Sequence, residues 1–498
     1  MLAAPLPRRA PRELSDARRT SAAGSRASVL ALSPARERAR RRLVWVVVTI
    51  YLLAIFEGAI RKYIAPQLGQ YIFFIRDPFL LYAYLLATRF SLWPRQQAFF
   101  TCSLFMCVFG VLLFVMQIGV FGLDNTRLLL GIYGWRSYFF YIPLAFLIGA
   151  QFRREDLRLV ARITLVLAVP IAVLVLVQFS SSPNSQINVG VAEEQELQFK
   201  SVGITVDRIR TTGTFTSPAG QQQFIASAFA LMVAMMLLPR REAGGIFVGL
   251  TACGVLTCLA LSGSRGSMLH CGLIGLFAMG LGLVGKSTAL KAKAFFLPLG
   301  LITAAAVLYP IVFPVGFETF MARWNGAAVN EQGIEGGVLG RAILGQIDFI
   351  RLLDVVPALG YGIGYGGNAS IMLGAEVDGV KPGLMVEADL SRQIVDLGPI
   401  FGLCYIAVRL ALIVWLGLRV YAATRRSPDP MPVLLFAYVS YTVLFGQISG
   451  NGSINAYGWL FTGLCIAASR QSLASIRRPR TTIRHEPQFP SPMRKRLQ

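Results

Sequence analysis

The stretch LVWVVVTIYLLAIFEGAI, residues 43–60, decides the fold class of this chain. Its one charged side chain is Glu57, and a run of arginines, residues 40–42, precedes it. An apolar run of about 18 to 20 residues is long enough to cross the hydrocarbon core of a bilayer as an α-helix. Comparable runs recur as far as residue 469 of the 498. The sequence therefore predicts an all-α polytopic membrane protein.

The apolar runs predict twelve transmembrane helices. They lie at about residues 43–60, 71–88, 98–118, 128–150, 158–178, 219–238, 244–262, 267–285, 294–314, 392–418, 431–449 and 453–469. Connecting segments rich in Lys and Arg alternate with segments that are poor in them, and short basic loops are typical of the cytoplasmic face. We therefore expect both termini in the cytoplasm.

This topology divides the chain into three regions. Residues 1–42 are predicted to be a disordered basic cytoplasmic tail, residues 43–469 the transmembrane bundle, and residues 470–498 a second basic tail. The bundle includes a large external loop, residues 315–391, between the ninth and tenth helices. Function is expected there, because long external loops often carry functional residues on a rigid scaffold.

The composition fits a membrane protein and argues against nucleic acid as a partner. Charged residues make up 15% of the chain, the mean hydropathy is +0.58 and the formal net charge is +23. The positive excess lies in the tails and in the predicted cytoplasmic loops, where orientation and anionic lipid explain it. The seven cysteines all lie in predicted spans without metal-ligand spacing, so neither disulfides nor a zinc site is predicted.

Two short motifs place an arginine at the external end of a helix. In RIRTTGTFTSPAGQQQF, residues 208–224, Arg210 precedes a turn that opens the sixth span, where free N–H groups can bind an anion. In LALSGSRGSMLH, residues 259–270, Arg265 lies in a tight turn of Gly and Ser, and arginine binds phosphate in a bidentate manner. The alternatives are a snorkelling arginine and a plain helical hairpin.

The large external loop carries two further candidate stretches. Residues 340–368 place Arg341 on a segment with periodic apolar residues, which predicts a surface helix. A Gly-rich turn, residues 357–367, follows this segment. In VEADLSRQIVDLGPIFG, residues 386–402, an Asp389, Arg392 and Asp396 pairing is expected on a helix. That leaves Glu387 without an obvious partner. An unpaired acid in a partly desolvated position tends to have a raised pKa, which suits proton transfer. The alternative is a polar helix cap.

Four charged residues fall inside the predicted spans, namely Glu57, Arg76, Asp77 and Arg136. Adjacent residues on a helix do not face each other. We therefore expect Arg76 and Asp77 to pair with other helices, and all four residues to brace the bundle.

Three blocks in this order resemble the O-antigen ligase and O-antigen polymerase superfamily of bacterial inner-membrane proteins. They are RTTGTFTSPAG, SGSRG, and the Gly-rich turn of the large loop followed by DLGPIFG. The resemblance implies a bundle similar to that of C-type glycosyltransferases. It implies transfer of glycan from undecaprenyl diphosphate to an acceptor sugar on the periplasmic side, with inversion and without a metal or other cofactor.

The resemblance also implies roles for individual residues. Arg210, Arg265 and Arg341 would bind the diphosphate, and Asp396 matches the acid of the family's motif. Glu387 stands where ligases of the family carry a histidine, eleven residues before Gly398. This difference favours a polymerase or another exopolysaccharide transferase, with Glu387 as the catalytic residue and other polysaccharide-assembly proteins as further partners.

Two other classes of function fit the same topology. A transporter or flippase of lipid-linked glycans also has many spans, although such carriers usually show internal repeats and midplane charges. A non-catalytic partner in envelope assembly is the second alternative, since the substitution of Glu387 for histidine fits a decayed enzyme.

Overall fold

The computed structural model describes residues 34–94, 97–188, 209–239, 244–284, 288–330, 345–377, 379–384, 386 and 388–474. The α-helices of these residues are α1 Pro34–Ala59, α2 Gly69–Ile72, α3 Asp77–Arg89, α4 Ala98–Phe121, α5 Asn125–Trp135, α6 Ile142–Gln151, α7 Arg154–Ser180, α8 Pro218–Leu237, α9 Gly245–Ala260, α10 Arg265–Val284, α11 Thr288–Val312, α12 Pro314–Asn330, α13 Phe349–Leu352, α14 Asn368–Met372, α15 Asp389–Leu397, α16 Pro399–Thr424, α17 Met431–Phe445 and α18 Gly452–Ala474. Within the described ranges the fold contains no strand, only one isolated β-bridge between Val377 and Val380.

Seven of the described helices are long and apolar enough to cross a membrane. They are Pro34–Ile64, Ala98–Phe121, Arg154–Ser180, Pro218–Leu237, Arg265–Val284, Thr288–Val312 and Pro399–Thr424. Each of the twelve predicted stretches overlaps at least one described helix. The prediction of an all-α, multi-pass membrane protein is confirmed, whereas the number of twelve spans stays a prediction.

The predicted tenth span begins too early. Residues 392–397 belong to the separate helix α15, which ends at Gly398 with φ of +82°, and α16 starts at Pro399. A Cβ at Gly398 would overlap the Ala358 carbonyl oxygen, so the close approach of the Gly-rich turn forces this break. The external loop is also partly helical, since α12 extends to Asn330.

Helices α6, α8 and α18 form the centre of the bundle and are almost wholly buried. Small residues let α6 and α18 approach closely. A Cβ at Gly463 would lie 2.8 Å from the Ala145 carbonyl oxygen, and one at Gly149 would lie 2.5 Å from Cγ2 of Ile466. Such contacts hold helices together in lipid, where burial from water supplies no driving force.

Basic segments from different parts of the sequence meet at one end of the bundle. Arg40 pairs with Asp156 at 2.7 Å, and Arg153 pairs with Glu37 at 2.7 Å. These segments were both predicted to be cytoplasmic, and the structure places them at the same end.

The candidate site lies at the end of the bundle opposite to Arg40 and Arg153. Helix α1 runs about 30 Å from Arg40 to Arg61, at about 1.5 Å per residue. It continues as a π-helical turn, Ile60–Ile64, that ends before Pro66. Residues 210–217 pack against this end of α1, as described below.

Candidate functional site

Residues 210–217 form a loop that a single glutamine side chain holds in place. Gln178, near the end of α7, accepts hydrogen bonds from the backbone N–H groups of Thr212 (3.2 Å) and Gly213 (2.8 Å). Its amide nitrogen donates to the Gly213 carbonyl oxygen at 3.1 Å. Gly213 has a φ of +53°, which a glycine adopts without strain. The amide therefore fixes a turn that the local sequence makes possible.

Helix α1 supports the other side of this loop. A Cβ at Gly58 would lie 2.5 Å from backbone atoms of Thr214, Phe215 and Thr216. The loop backbone thus lies directly on the helix surface, and only glycine leaves room for it.

The structure links the segments that carry Arg210 and Arg265, while their role in binding a diphosphate stays a prediction. Thr211 donates to the Leu261 carbonyl oxygen at 3.0 Å, which ties the loop to the turn before α10. Arg265 is the first residue of that helix. Burial and the positive charge of Arg265 both lower the pKa of Arg210. Two partly buried guanidinium groups therefore share one electrostatic environment at this end of the bundle.

Two of the predicted site residues, Arg341 and Glu387, lie outside the described residues. The residues that flank Glu387, Val386 and Ala388, are described, and Val386 is buried. Ala388 is the N-cap of α15, whose first residue is Asp389.

Asp389 is fully buried and binds several donors. Arg409 of α16 donates to its carboxylate at 2.6 Å, and Ser449 donates through its hydroxyl at 2.7 Å and its backbone N–H at 3.0 Å. The predicted pairing with Arg392 is present at 3.5 Å. Asp389 therefore anchors the start of α15 to the segment that precedes α18.

Asp396 differs from the prediction, because it does not pair with Arg392. Its carboxylate accepts hydrogen bonds from the Gly366 N–H at 2.5 Å and from the Tyr138 hydroxyl at 2.9 Å. Arg392 donates to the Gly366 carbonyl oxygen at 2.6 Å instead. Burial raises the pKa of Asp396 to about 6, against the opposite effect of these hydrogen bonds. Both residues thus hold the Gly-rich turn on α15.

The four charged residues expected to brace the bundle do so. Arg76 pairs with Glu57 at 2.9 Å, and Arg136 pairs with Asp77 at 2.5 Å, each between different helical segments. Both arginine side chains are nearly inaccessible to solvent. Their pairing confirms that adjacent Arg76 and Asp77 serve different helices.

The motifs missed an aromatic and cationic cluster beside these ion pairs. Phe73 stacks on Tyr133 with ring centroids 5.3 Å apart, and the Arg136 guanidinium lies 4.5 Å from the Phe73 ring centroid. Arg61 lies over the same ring at 5.9 Å. The only sequence signal was the density of aromatic and basic residues, which is also typical of a membrane interface.

The sequence motifs also did not predict a role for Lys62. It lies in the π-helical turn after α1 and its ammonium donates to the Thr212 hydroxyl at 2.6 Å. The residue is only 8% exposed. A lysine that follows an apolar run normally extends to the membrane surface, so no sequence pattern predicts that Lys62 contacts this loop.

Within the described ranges, no group of three or more His, Cys, Asp or Glu side chains is arranged to hold a metal ion. The chemistry that the described site offers is cationic. Lys62 donates to the loop that carries Arg210, and Thr211 ties the same loop to the turn before Arg265. Cationic side chains on or beside one loop suit an anionic ligand.

The fold and the long apolar helices define an all-α, multi-pass membrane protein. No protein-family model matches the chain, and no curated protein sequence matches it significantly.

Proposed function

We propose that this protein is a glycosyltransferase of polysaccharide assembly, similar to O-antigen polymerases and ligases. It moves glycan from an undecaprenyl-diphosphate donor to an acceptor sugar at the periplasmic face of the bacterial inner membrane. The hydrogen bond from Thr211 to the Leu261 carbonyl oxygen, which joins the loop of Arg210 to the turn before Arg265, carries the proposal. Paired guanidinium groups bind diphosphate oxygens through short, charge-assisted hydrogen bonds.

The reaction needs stabilisation of negative charge on the leaving group. The acceptor hydroxyl oxygen forms a bond to the sugar C1 while the bond from C1 to the diphosphate oxygen breaks. Negative charge then develops on the lipid diphosphate, and fixed cations in a water-poor site stabilise it strongly. Attack on the face opposite the leaving group inverts the configuration at C1.

The acceptor hydroxyl must also lose a proton. Glu387 is proposed to take it as a general base, because a carboxylate near the attacking oxygen suits this role. The chain on its C-terminal side is well anchored, since Asp389 binds Ser449 and Arg409. Arg341 is proposed as a further ligand of the diphosphate.

Reconstitution with a lipid-linked oligosaccharide tests this function directly. The purified protein in proteoliposomes should lengthen the glycan if it is a polymerase, or move it to a second lipid or sugar acceptor if it is a ligase. Movement of the lipid across the bilayer without bond formation would instead identify a flippase. If the assay shows neither bond formation nor movement of the lipid, the result favours a non-catalytic assembly partner.

Variants identify the site in the same assay. Arg210→Ala, Arg265→Ala and Glu387→Gln should each reduce transfer by about 100-fold or more, as loss of one group that stabilises transition-state charge or moves a proton does. The matched control is Arg89→Ala, because Arg89 is exposed at the end of α3. Unchanged transfer in the three site variants would contradict the assignment.

A further inference from the structure

The ammonium of Lys62 has an unusual environment for a buried cation. It is 8% exposed, and its described hydrogen-bond partner is the neutral Thr212 hydroxyl at 2.6 Å. An ammonium has three donors. Within the described part of the chain no carboxylate lies within ion-pair distance of it, and Glu57, five residues earlier, pairs with Arg76 and Arg61. A buried charge without a counterion is costly.

Arg210, which lies two residues before Thr212 in the sequence, shows a related feature. Its Nε is buried and has no hydrogen-bond partner among the described residues. The same guanidinium is close enough to Arg265 for the two charges to affect each other. Among the described residues, this end of the bundle therefore carries positive charge and leaves the Nε–H donor of Arg210 without a hydrogen-bond partner.

The local structure directs Lys62 toward this site. The π-helical turn Ile60–Ile64 is wider than an α-helical turn, so it changes the directions of the side chains that follow α1. The next residue, Tyr63, accepts a hydrogen bond from Gln178 at 3.2 Å, the same side chain that holds Gly213. Lys62 and the loop are thus fixed by one network.

We propose that Lys62 is an additional anion-binding residue of the site, and that it gives the site a preference for a diphosphate over a monophosphate. This inference rests on the proposed function for the identity of the lipid. A single phosphate can engage two guanidinium groups, whereas a diphosphate has a second phosphoryl group and more charge for a third cation. Among the described residues the ammonium has no carboxylate partner, and a bound diphosphate would supply a counterion.

Binding to the full chain in nanodiscs tests the proposal without catalysis. The probes are undecaprenyl diphosphate and undecaprenyl monophosphate, with inorganic pyrophosphate and orthophosphate as soluble competitors. Lys62→Met should weaken diphosphate binding about tenfold or more, the usual effect of losing a hydrogen bond to a charged group. Binding of the monophosphate should fall less, and Lys62→Arg should retain most of the affinity.

Lys293→Met is the matched control, because Lys293 is an exposed lysine on α11, and its affinity should equal that of the wild type. Unchanged diphosphate binding in Lys62→Met would overturn the proposal. If Lys62→Met does not fold, the wild-type protein still tests the preference for a diphosphate. Equal affinity for the two lipids, or equal displacement by orthophosphate and pyrophosphate, would overturn the diphosphate preference.

The two proposals fail in different ways. Binding that depends on Lys62 without any glycan transfer would remove the proposed enzyme activity and keep the anion site. Glycan transfer with normal lipid binding in Lys62→Met would keep the enzyme and remove the role of Lys62.

Discussion

At the residue scale, hydrogen bonds from the side chains of Lys62 and Gln178 hold the loop that carries Arg210. Lys62 follows an apolar run, and only the tertiary contact with Thr212 shows that it turns inward. Arg210 and Arg265 each lie beside a Gly-containing turn that leads into a helix, so the sequence singles out both residues, while their binding role stays a prediction. Gln178 was not predictable, since its role depends on a loop more than 30 residues later in the chain.

Gly58 gives the sharpest test at this scale. Gly58→Ala places a Cβ 2.5 Å from the backbone of residues 214–216, so the loop that carries Arg210 must shift. We expect diphosphate binding to weaken about tenfold, since a displaced guanidinium loses its bond to the anion. Binding to protein in nanodiscs measures the change.

The control for Gly58 is another helical glycine. Gly119→Ala adds the same methyl group where nothing lies within 4 Å, so binding should equal that of the wild type. A similar loss in both variants would show that the effect comes from helix chemistry rather than from the loop contact.

At the scale of elements, the length of an apolar run predicts a helix well, but it does not predict where that helix breaks. The sequence of residues 392–418 continues as an apolar run through Gly398, yet the chain divides there into α15 and α16. The break depends on the Gly-rich turn, which is about 40 residues earlier in the chain and fills the space where a Cβ would lie. Contacts between distant segments of this kind leave no periodic signal in either segment.

Helix α15 should depend on its first residue. Asp389→Ala removes the carboxylate that pairs with Arg409 and Arg392, and leaves buried charges without a partner. Such losses destabilise a protein by about 3–5 kcal/mol. We expect a clearly lower unfolding temperature, measured by heating the purified protein in detergent.

An exposed ion pair provides the comparison. Asp348→Ala breaks a pair with Arg351 at 3.7 Å, in which the arginine side chain is 88% exposed. Exposed pairs contribute about 0–1 kcal/mol, so this variant should unfold close to the wild type. Equal destabilisation by the two substitutions would contradict the anchoring role of Asp389.

At the scale of the whole molecule, the class of all-α membrane protein was predictable from the sequence, and the arrangement of the helices was not. Composition alone predicted a membrane bundle, and the alternation of basic segments predicted that residues near Arg40 and Arg153 share one end. Nothing in the sequence predicted that α6, α8 and α18 form the centre. That arrangement follows from close contacts such as Gly463 on Ala145, which involve the pairing of two specific helices.

The stability of the whole protein should depend on pH through Asp396. Its folded-state pKa is raised by burial to about 6 from an ordinary value of 3.8. Between these values the folded state binds the proton more tightly, so stability decreases as pH rises from about 4 to about 6. Unfolding temperatures of purified protein across this range measure the slope.

Asp396→Asn should flatten this slope. Asparagine does not ionise, and its carbonyl oxygen can still accept the hydrogen bond from Tyr138. An unchanged pH dependence in this variant would assign the slope to another group.

Helix α11, Thr288–Val312, has 25 residues and buries little of its surface in the bundle. At about 1.5 Å per residue it is about 37 Å long, whereas the hydrocarbon layer of a bilayer is about 30 Å thick. A helix longer than the layer must tilt or bend, and Pro298 and Pro310 are natural places for a bend. The tilt of α11, and with it the position of α12, which begins two residues later at Pro314, should therefore depend on the thickness of the host membrane.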